Sequence, residues 1–272
     1  MLFEGFANRY FPEQIEHTSV GTLTARSHAA QVAGYYLITR RFDHSPGSII
    51  NLFNQYLLVD AGNGKVILNA GEQADSYSEI GPFLWRQDNG SDLLAVNMQV
   101  GKPVLMATSG TAATFAFQPL PFWKTLPFVL AISAFSVLVL LVTIFSWPIS
   151  KVVQRYYGIQ RDISKDQKRA FFIRQFASFL VLFTLVAWIL LIVPNANDGL
   201  SEQNNFQIIA TQIMTIFSTA VAIVALFINF KDTIFADHSK FRRLNRVLWM
   251  MSVMLLIWQY YTFDLLEIET DF

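Results

Sequence analysis

The adjacent arginines Arg40 and Arg41 have the strongest case for recognising a charged partner, because guanidinium groups match carboxylates and phosphates in geometry. They follow an apolar run that contains Tyr35 and Tyr36, and a turn over residues 43–47 comes next. If the run is a β-strand, successive side chains point to opposite faces. The two arginines would then not form one clamp. We take Arg40, Arg41, Tyr35 and Tyr36 as candidate contact residues.

The chain contains no sequence motif of a nucleophilic enzyme. Ser-x-x-Lys, Tyr-x-Asn, Gly-x-Ser-x-Gly and Lys-Thr-Gly are all absent from the sequence. Cysteine is absent too, which removes disulfides and thiolate chemistry. The phosphate-binding patterns Gly-x-x-x-x-Gly-Lys and Gly-x-Gly-x-x-Gly do not occur. We therefore predict that the protein is not an enzyme.

Histidines and carboxylates give no pattern for a metal or another cofactor. The four histidines have no i, i+4 pair, and the net charge of zero gives no basis for binding nucleic acid. Most acidic residues of the first half are predicted to lie in turns, where Asp is common; they are Asp60, Glu72, Asp75, Glu79, Asp88 and Asp92. A catalytic carboxylate pair among them stays open as an alternative. We predict no cofactor and no metal.

The second half of the chain is predicted to cross a membrane. The chain is 53% hydrophobic, which is high for a soluble protein. Residues 125–150, 175–193, 206–230 and 247–263 contain no charged side chain, and a span needs roughly 20 apolar residues. We predict four spans at about 125–150, 172–193, 206–230 and 246–264. Trp123, Trp147 and Trp258 are predicted to lie at membrane interfaces.

The charges of the connecting segments predict the orientation. Residues 150–174 and 231–246 are rich in Lys and Arg. The loop between the second and third predicted spans contains neither residue, and the tail after the fourth span is acidic. Basic loops stay in the cytoplasm, so both termini and the first domain are predicted to be extracytoplasmic. Contact with anionic lipid headgroups is a second interpretation of the basic segments.

Polar residues in the third span leave two interpretations. Gln207, Thr211, Thr215 and Ser218 share one helical face. They could line a polar pathway, or they could form hydrogen bonds between helices, as small polar residues commonly do. No charge lies deep in a predicted span, and ion pathways usually contain one, so we favour the packing interpretation.

The first half predicts a small antiparallel β domain. Asn-Gly turns within 61–64 and 88–91 join apolar runs, and short connections indicate antiparallel pairing of about seven strands. A short helix is predicted at 48–55. The fold class is an α+β membrane protein, in which a small antiparallel sheet or partly closed barrel precedes a four-helix transmembrane bundle. Its predicted parts are a terminal helix and linker at 1–27, the β domain at 28–119, the spans at 120–266 and an acidic tail at 267–272.

Four short motifs resemble the C-terminal region of a known enzyme family. They are "LFEGFANRYFPEQ", "HAAQVAGYYLITRR", "VDAGNGKVIL" and "SEIGPFLWRQDNGSDLLAV". The family is the class C β-lactamase-like, or penicillin-binding-protein-like, serine hydrolases, in the bacterial members that carry an extra β domain and membrane spans after the catalytic domain. The catalytic motifs of that family are missing here, so the resemblance transfers no catalytic role to any residue.

The resemblance implies a non-catalytic, membrane-anchored C-terminal accessory module that positions or docks a hydrolase domain at the bacterial inner or plasma membrane. Its expected partners are the lipid bilayer and a hydrolase domain on the same or a separate chain. A helix at 2–11 with an unpartnered apolar face and the lack of a signal sequence agree with a fragment of a longer protein. The alternative is a self-standing four-span membrane sensor or interaction protein with an extracytoplasmic ligand-binding β domain.

Overall fold

The computed structural model describes residues 22–41, 43, 45–70, 73–111, 115–158, 165–195, 204–235 and 240–268. The predicted helix at 2–11 and the last four residues of the acidic tail lie outside these ranges. The chain divides into two compact units, Met1–Arg40 with Asn54–Pro121, and Arg41–Phe53 with Phe122–Phe272. Residues 41–53, which we had predicted within the β domain, therefore belong to the helical unit.

The first unit contains a closed antiparallel barrel in which eight strands follow one another in sequence order. The strands are β1 (Gly34–Ile38), β2 (Gln55–Gly62), β3 (Lys65–Ala70), β4 (Gln73–Gly81), β5 (Leu84–Gln87), β6 (Leu93–Gln99), β7 (Lys102–Thr108) and β8 (Phe117–Pro119). Pairing of β1 with β8, with Leu37 opposite Gln118, closes the barrel. The antiparallel β domain is confirmed, but the barrel is fully closed and has one strand more than predicted.

Large side chains fill the interior of the barrel. Trp85, Leu58, Leu94, Met106 and Phe117 are at most 1% exposed, and they form one apolar cluster. The indole nitrogen of Trp85 donates a hydrogen bond of 3.0 Å to the carbonyl of Gly64. Eight-stranded barrels are just wide enough for side chains or one small ligand. In this barrel the side chains take that space.

Helix α1 (Thr22–Val32) packs against β2, β3 and β7 of the barrel. Its residues Ala29 and Val32 are fully buried in the barrel cluster. The sequence did not predict this helix, and the predicted boundary at 27/28 falls inside it. A helix this short is only marginally stable in isolation and depends on tertiary packing. The sequence of residues 22–32 is therefore a weak predictor of a helix.

The turn between β2 and β3 allows α1 to approach the barrel closely. Asn63 and Gly64 have φ of 54° and 81°, the left-handed pair of a type I′ turn, as the Asn-Gly pattern predicted. A Cβ atom on Gly64 would lie 2.4 Å from the Cβ of Ala25 in α1. Glycine is therefore required here by its φ and by the contact.

The second unit contains four long helices, α2 (Leu126–Tyr157), α3 (Lys165–Ile192), α4 (Asn205–Phe235) and α5 (Lys240–Thr262). Three segments are long and apolar enough to cross a membrane: Leu126–Tyr157, Gln167–Asn195 and Asn205–Ile234. Helix α5 is not apolar enough by the same measure, so three of the four predicted spans correspond to helices that could cross a membrane. The helices also extend into the predicted basic loops, because α2 continues to Tyr157 and α3 begins at Lys165.

The four helices form a bundle in which α2 and α4 each pack against both α3 and α5. Leu140, Val181, Ala222 and Leu256, one from each helix, are buried in the middle of this bundle. Apolar residues also gather where α2 and α4 begin and α3 and α5 end; they are Val129, Trp188, Leu191, Ile192, Ile208, Tyr260, Phe263 and Leu265, with Ile50 and Leu52. We call this second group the end cluster.

Candidate functional site

Arg40 and Arg41 lie in the bend that follows β1, which ends at Ile38. The expectation that strand geometry separates their side chains is therefore wrong, because the strand ends before it reaches them. Arg41 donates through Nε to Asp43 Oδ1 at 2.7 Å, and its side chain is 17% exposed. Arg40 is exposed, and no hydrogen bond or ion pair joins it to another residue of the described ranges. Arg40 is thus the arginine that is open to a partner.

The two tyrosines before the arginines have different environments. Tyr36 is 1% exposed inside the barrel, and its hydroxyl donates to the carbonyl of Val32 at 2.6 Å. Burial raises the pKa of Tyr36 to about 12. Its side chain belongs to the core, which corrects the prediction that it is a contact residue. Tyr35 alternates to the other face and is only partly buried.

A histidine–carboxylate pair links α1 to the barrel. His28 Nδ1 lies 2.7 Å from Glu79 Oε1, and the backbone N–H of Phe83 donates to the same oxygen at 3.1 Å. The side chains of His28 and Glu79 are 12% and 2% exposed, and the ring of Phe83 lies 4.1 Å from the imidazole. A carboxylate in this position fixes the orientation of an imidazole ring.

This pair was not predicted from the sequence, because its members are 51 residues apart and Glu79 was expected in a turn. Metal binding needs further ligands, and among the described residues no group of three or more His, Cys, Asp or Glu is close enough to hold an ion. The pair therefore acts first as a polar link that holds α1 on strand β4.

Two tryptophans mark the ends of the apolar part of α2. Trp123 lies just before the helix in a short 3₁₀ turn and is 44% exposed. Trp147 is 46% exposed, and the ammonium group of Lys151 lies 3.8 Å from its ring centroid. The helix rises ~32 Å from Leu126 to Trp147, close to the thickness of a hydrocarbon core of about 30 Å. Trp258, on α5, is partly buried.

The polar residues of the third predicted span form hydrogen bonds within the helical unit. Thr211 and Thr215 donate to the carbonyls four residues earlier, at 2.7 Å each. The indole nitrogen of Trp188 on α3 donates to the hydroxyl of Thr215 at 2.8 Å. Thr215 and Ser218 are fully buried. These bonds favour the packing interpretation over a polar pathway.

Charged residues meet at the end of the bundle opposite the end cluster. Arg246 on α5 donates through Nη1 to Asp232 Oδ2 on α4, and Arg174 on α3 is 6% exposed in the same region. We call these three residues the basic cluster. The sequence placed Arg174 and Arg246 in loops, but both lie within helices and are buried. Only the packing of three helices brings these three residues together.

Family models, curated proteins and solved structures were all searched, and none matches the chain. The resemblance to serine hydrolases accordingly depends on the four quoted motifs alone.

Proposed function

We propose that the protein is a non-catalytic, membrane-anchored accessory module whose extracytoplasmic barrel positions or docks a β-lactamase-like serine hydrolase domain at the bacterial inner or plasma membrane. The observation that carries the proposal is the filled barrel on a chain with long apolar helices. Side chains such as Trp85 and Met106 occupy the space that a ligand would need. The working surface of such a barrel is its exterior, which suits a protein partner.

The filled interior is an argument against the alternative of a sensor with a ligand inside its β domain. Barrels that hold a small molecule leave the centre open. In this chain Trp85 is fully buried and bonded to the carbonyl of Gly64, so a ligand would have to displace it. Docking on the outer surface requires no such rearrangement.

Helix α5 is proposed as the fourth span. Arg246, near its start, reaches Asp232 at the end of α4, while Tyr260, near its end, belongs to the end cluster. Trp249, Val253 and Leu256 between them are fully buried. The helix of 23 residues is ~35 Å long, enough to cross a bilayer beside the other three. Its lower hydropathy comes from the charged first turns, which suit a cytoplasmic interface.

The segment that follows the arginine pair is anchored to helix ends within the helical unit. Ile50 and Leu52 of the 3₁₀ segment Pro46–Leu52 are buried in the end cluster. The hydroxyl of Ser48 donates to the carbonyl of Phe263 at 2.9 Å. A contact residue beside an anchored segment loses less conformational entropy when a partner binds. This supports Arg40 as a docking residue.

The test is a binding measurement with defined probes. The full chain in mild detergent is immobilised, and its affinity for a purified class C β-lactamase-like serine hydrolase domain from the same cells is measured by interferometry. We expect Arg40→Glu to weaken binding about tenfold, because a favourable contact becomes a repulsive one. Lys102→Glu makes the same charge change at an exposed position of β7 and should have no effect. No binding by the wild type, or equal losses in both variants, would contradict the proposal.

A further inference from the structure

The basic cluster has more positive than negative charge among its described side chains. Arg174 and Arg246 share a neighbourhood with the single carboxylate of Asp232, and Arg246 donates to that carboxylate. Arg174 is only 6% exposed, and its Nε has no hydrogen-bond partner within the described ranges. The ring centroid of Phe171 lies 5.4 Å from the guanidinium carbon. Arg174 thus shares the one described carboxylate with Arg246. A buried cation that is incompletely paired is unfavourable, so this position favours a further anion.

The depth of the cluster matches a lipid headgroup. Gln175 of α3 donates to the carbonyl of Thr143 on α2 at 2.9 Å, which places Arg174 about one helical turn from the level of Trp147. From Arg174 to Ile192 in the end cluster, α3 rises ~27 Å. A hydrocarbon core is about 30 Å thick. In a bilayer crossed by these helices, this distance would place the cluster near the boundary between the hydrocarbon core and the headgroups of one leaflet.

The surroundings of Arg174 suit a molecule with an anionic head and apolar tails. Lys168 and Arg169, one to two turns earlier on α3, are exposed. On the same helix Phe172 and Phe176 are 71% and 45% exposed, and they offer an apolar surface next to the cations. Basic pockets between membrane helices on the cytoplasmic side bind the headgroups of anionic lipids.

We propose that the basic cluster binds the phosphate of an anionic phospholipid, with Arg174 as the residue that pairs with it. Asp232 neutralises part of the charge of Arg246 and thereby reduces the net positive charge of the cluster to which the lipid phosphate binds. The proposal rests on the membrane anchoring in the proposed function. A zwitterionic lipid has the same phosphate but brings its own cation, so it gains less from this cluster.

The experiment uses the full chain, purified in detergent and delipidated, and counts retained lipids by native mass spectrometry. Phosphatidylglycerol, phosphatidylcholine and inorganic phosphate are added in separate arms. We expect one phosphatidylglycerol to be retained at a concentration about tenfold lower than phosphatidylcholine, and no stabilisation by inorganic phosphate, because one or two basic side chains contribute a factor of this order.

Two variants and a matched control identify the residue. Arg174→Gln should reduce phosphatidylglycerol retention about fivefold, whereas Arg155→Gln removes the same charge from an exposed position near the end of α2 and should not. Asp232→Asn should increase retention, which tests the site even if Arg174→Gln does not fold. Equal retention of both lipids by the wild type, equal losses in both arginine variants, or an equal effect of inorganic phosphate would overturn the proposal.

Alkaline carbonate extraction of the membranes separates this proposal from the anchoring on which it rests. A chain that stays in the membrane but shows no preference for phosphatidylglycerol refutes the lipid site alone. A chain that carbonate releases refutes the anchor and, with it, the site.

Discussion

Two glycines in the β2–β3 turn offer a test of how α1 is seated on the barrel. Gly62 and Gly64 have nearly equal φ, 82° and 81°, so alanine at either position carries similar backbone strain, about 1–2 kcal/mol. A Cβ at Gly62 would meet nothing within 4 Å, whereas one at Gly64 would lie 2.4 Å from Ala25 Cβ and 3.2 Å from its carbonyl carbon. Overpacking of this kind costs about 1–3 kcal/mol more.

We therefore expect Gly62→Ala to lower the free energy of unfolding of the barrel by about 1–2 kcal/mol and Gly64→Ala by about 2–5 kcal/mol, the sum of strain and overlap. Hydrogen exchange of peptides from the barrel strands, measured on the full chain in detergent, reports these values. Ala25→Gly in the Gly64→Ala background should recover part of the overlap and none of the strain. Equal losses at the two glycines would refute the close contact between α1 and the turn.

Three further predictions concern the barrel and the topology. Tyr36→Phe should cost about 1 kcal/mol through the lost hydrogen bond to Val32. Because burial raises the pKa of Tyr36 to about 12, the wild type should also lose stability as pH rises from the unfolded pKa of about 10 towards 12. Thermal melts at several pH values should show this loss, and it should be smaller in the phenylalanine variant, in which Tyr77, whose pKa is also raised by burial, still titrates. His28→Leu should cost about 2–3 kcal/mol, since it removes a hydrogen bond to the buried carboxylate of Glu79; unchanged hydrogen exchange in α1 would contradict the role of this pair. Single cysteines introduced at Ser91 and Ser164 should react with a membrane-impermeant maleimide from outside and from inside respectively, and the reverse pattern would refute the proposed orientation.

Local sequence patterns predicted the parts of the fold that depend on neighbouring residues. The Asn63-Gly64 turn follows from the need for two positive φ angles, and the uncharged stretches anticipated three helices long enough for a membrane. Strand β4 was missed because its sequence, with Asp75, Ser76, Ser78 and Glu79, lacks apolar alternation. Tyr77, which is 3% exposed, is the residue by which this strand joins the apolar cluster of the barrel.

Contacts between distant residues could not be predicted from the same patterns. Closure of the barrel requires β1 to pair with β8 at the other end of the domain, and short-range turn signals carry no information on that pairing. The His28–Glu79 pair and the basic cluster likewise form only when separate elements pack together. Tyr36 was misassigned because its position, inside or outside, depends on the register of β1 in the closed barrel.

The central claim, that this chain holds a serine hydrolase at the membrane without being one, can be tested most directly with a fluorescent penicillin. The full chain is purified in mild detergent from membranes of cells that express it, and the purified fraction is treated with the reagent and separated under denaturing conditions. We predict that a co-purifying protein is acylated, that the chain itself is not, and that Arg40→Glu removes the acylated partner. Stoichiometric labelling of the chain, or a wild-type fraction with no acylated partner, would contradict the claim.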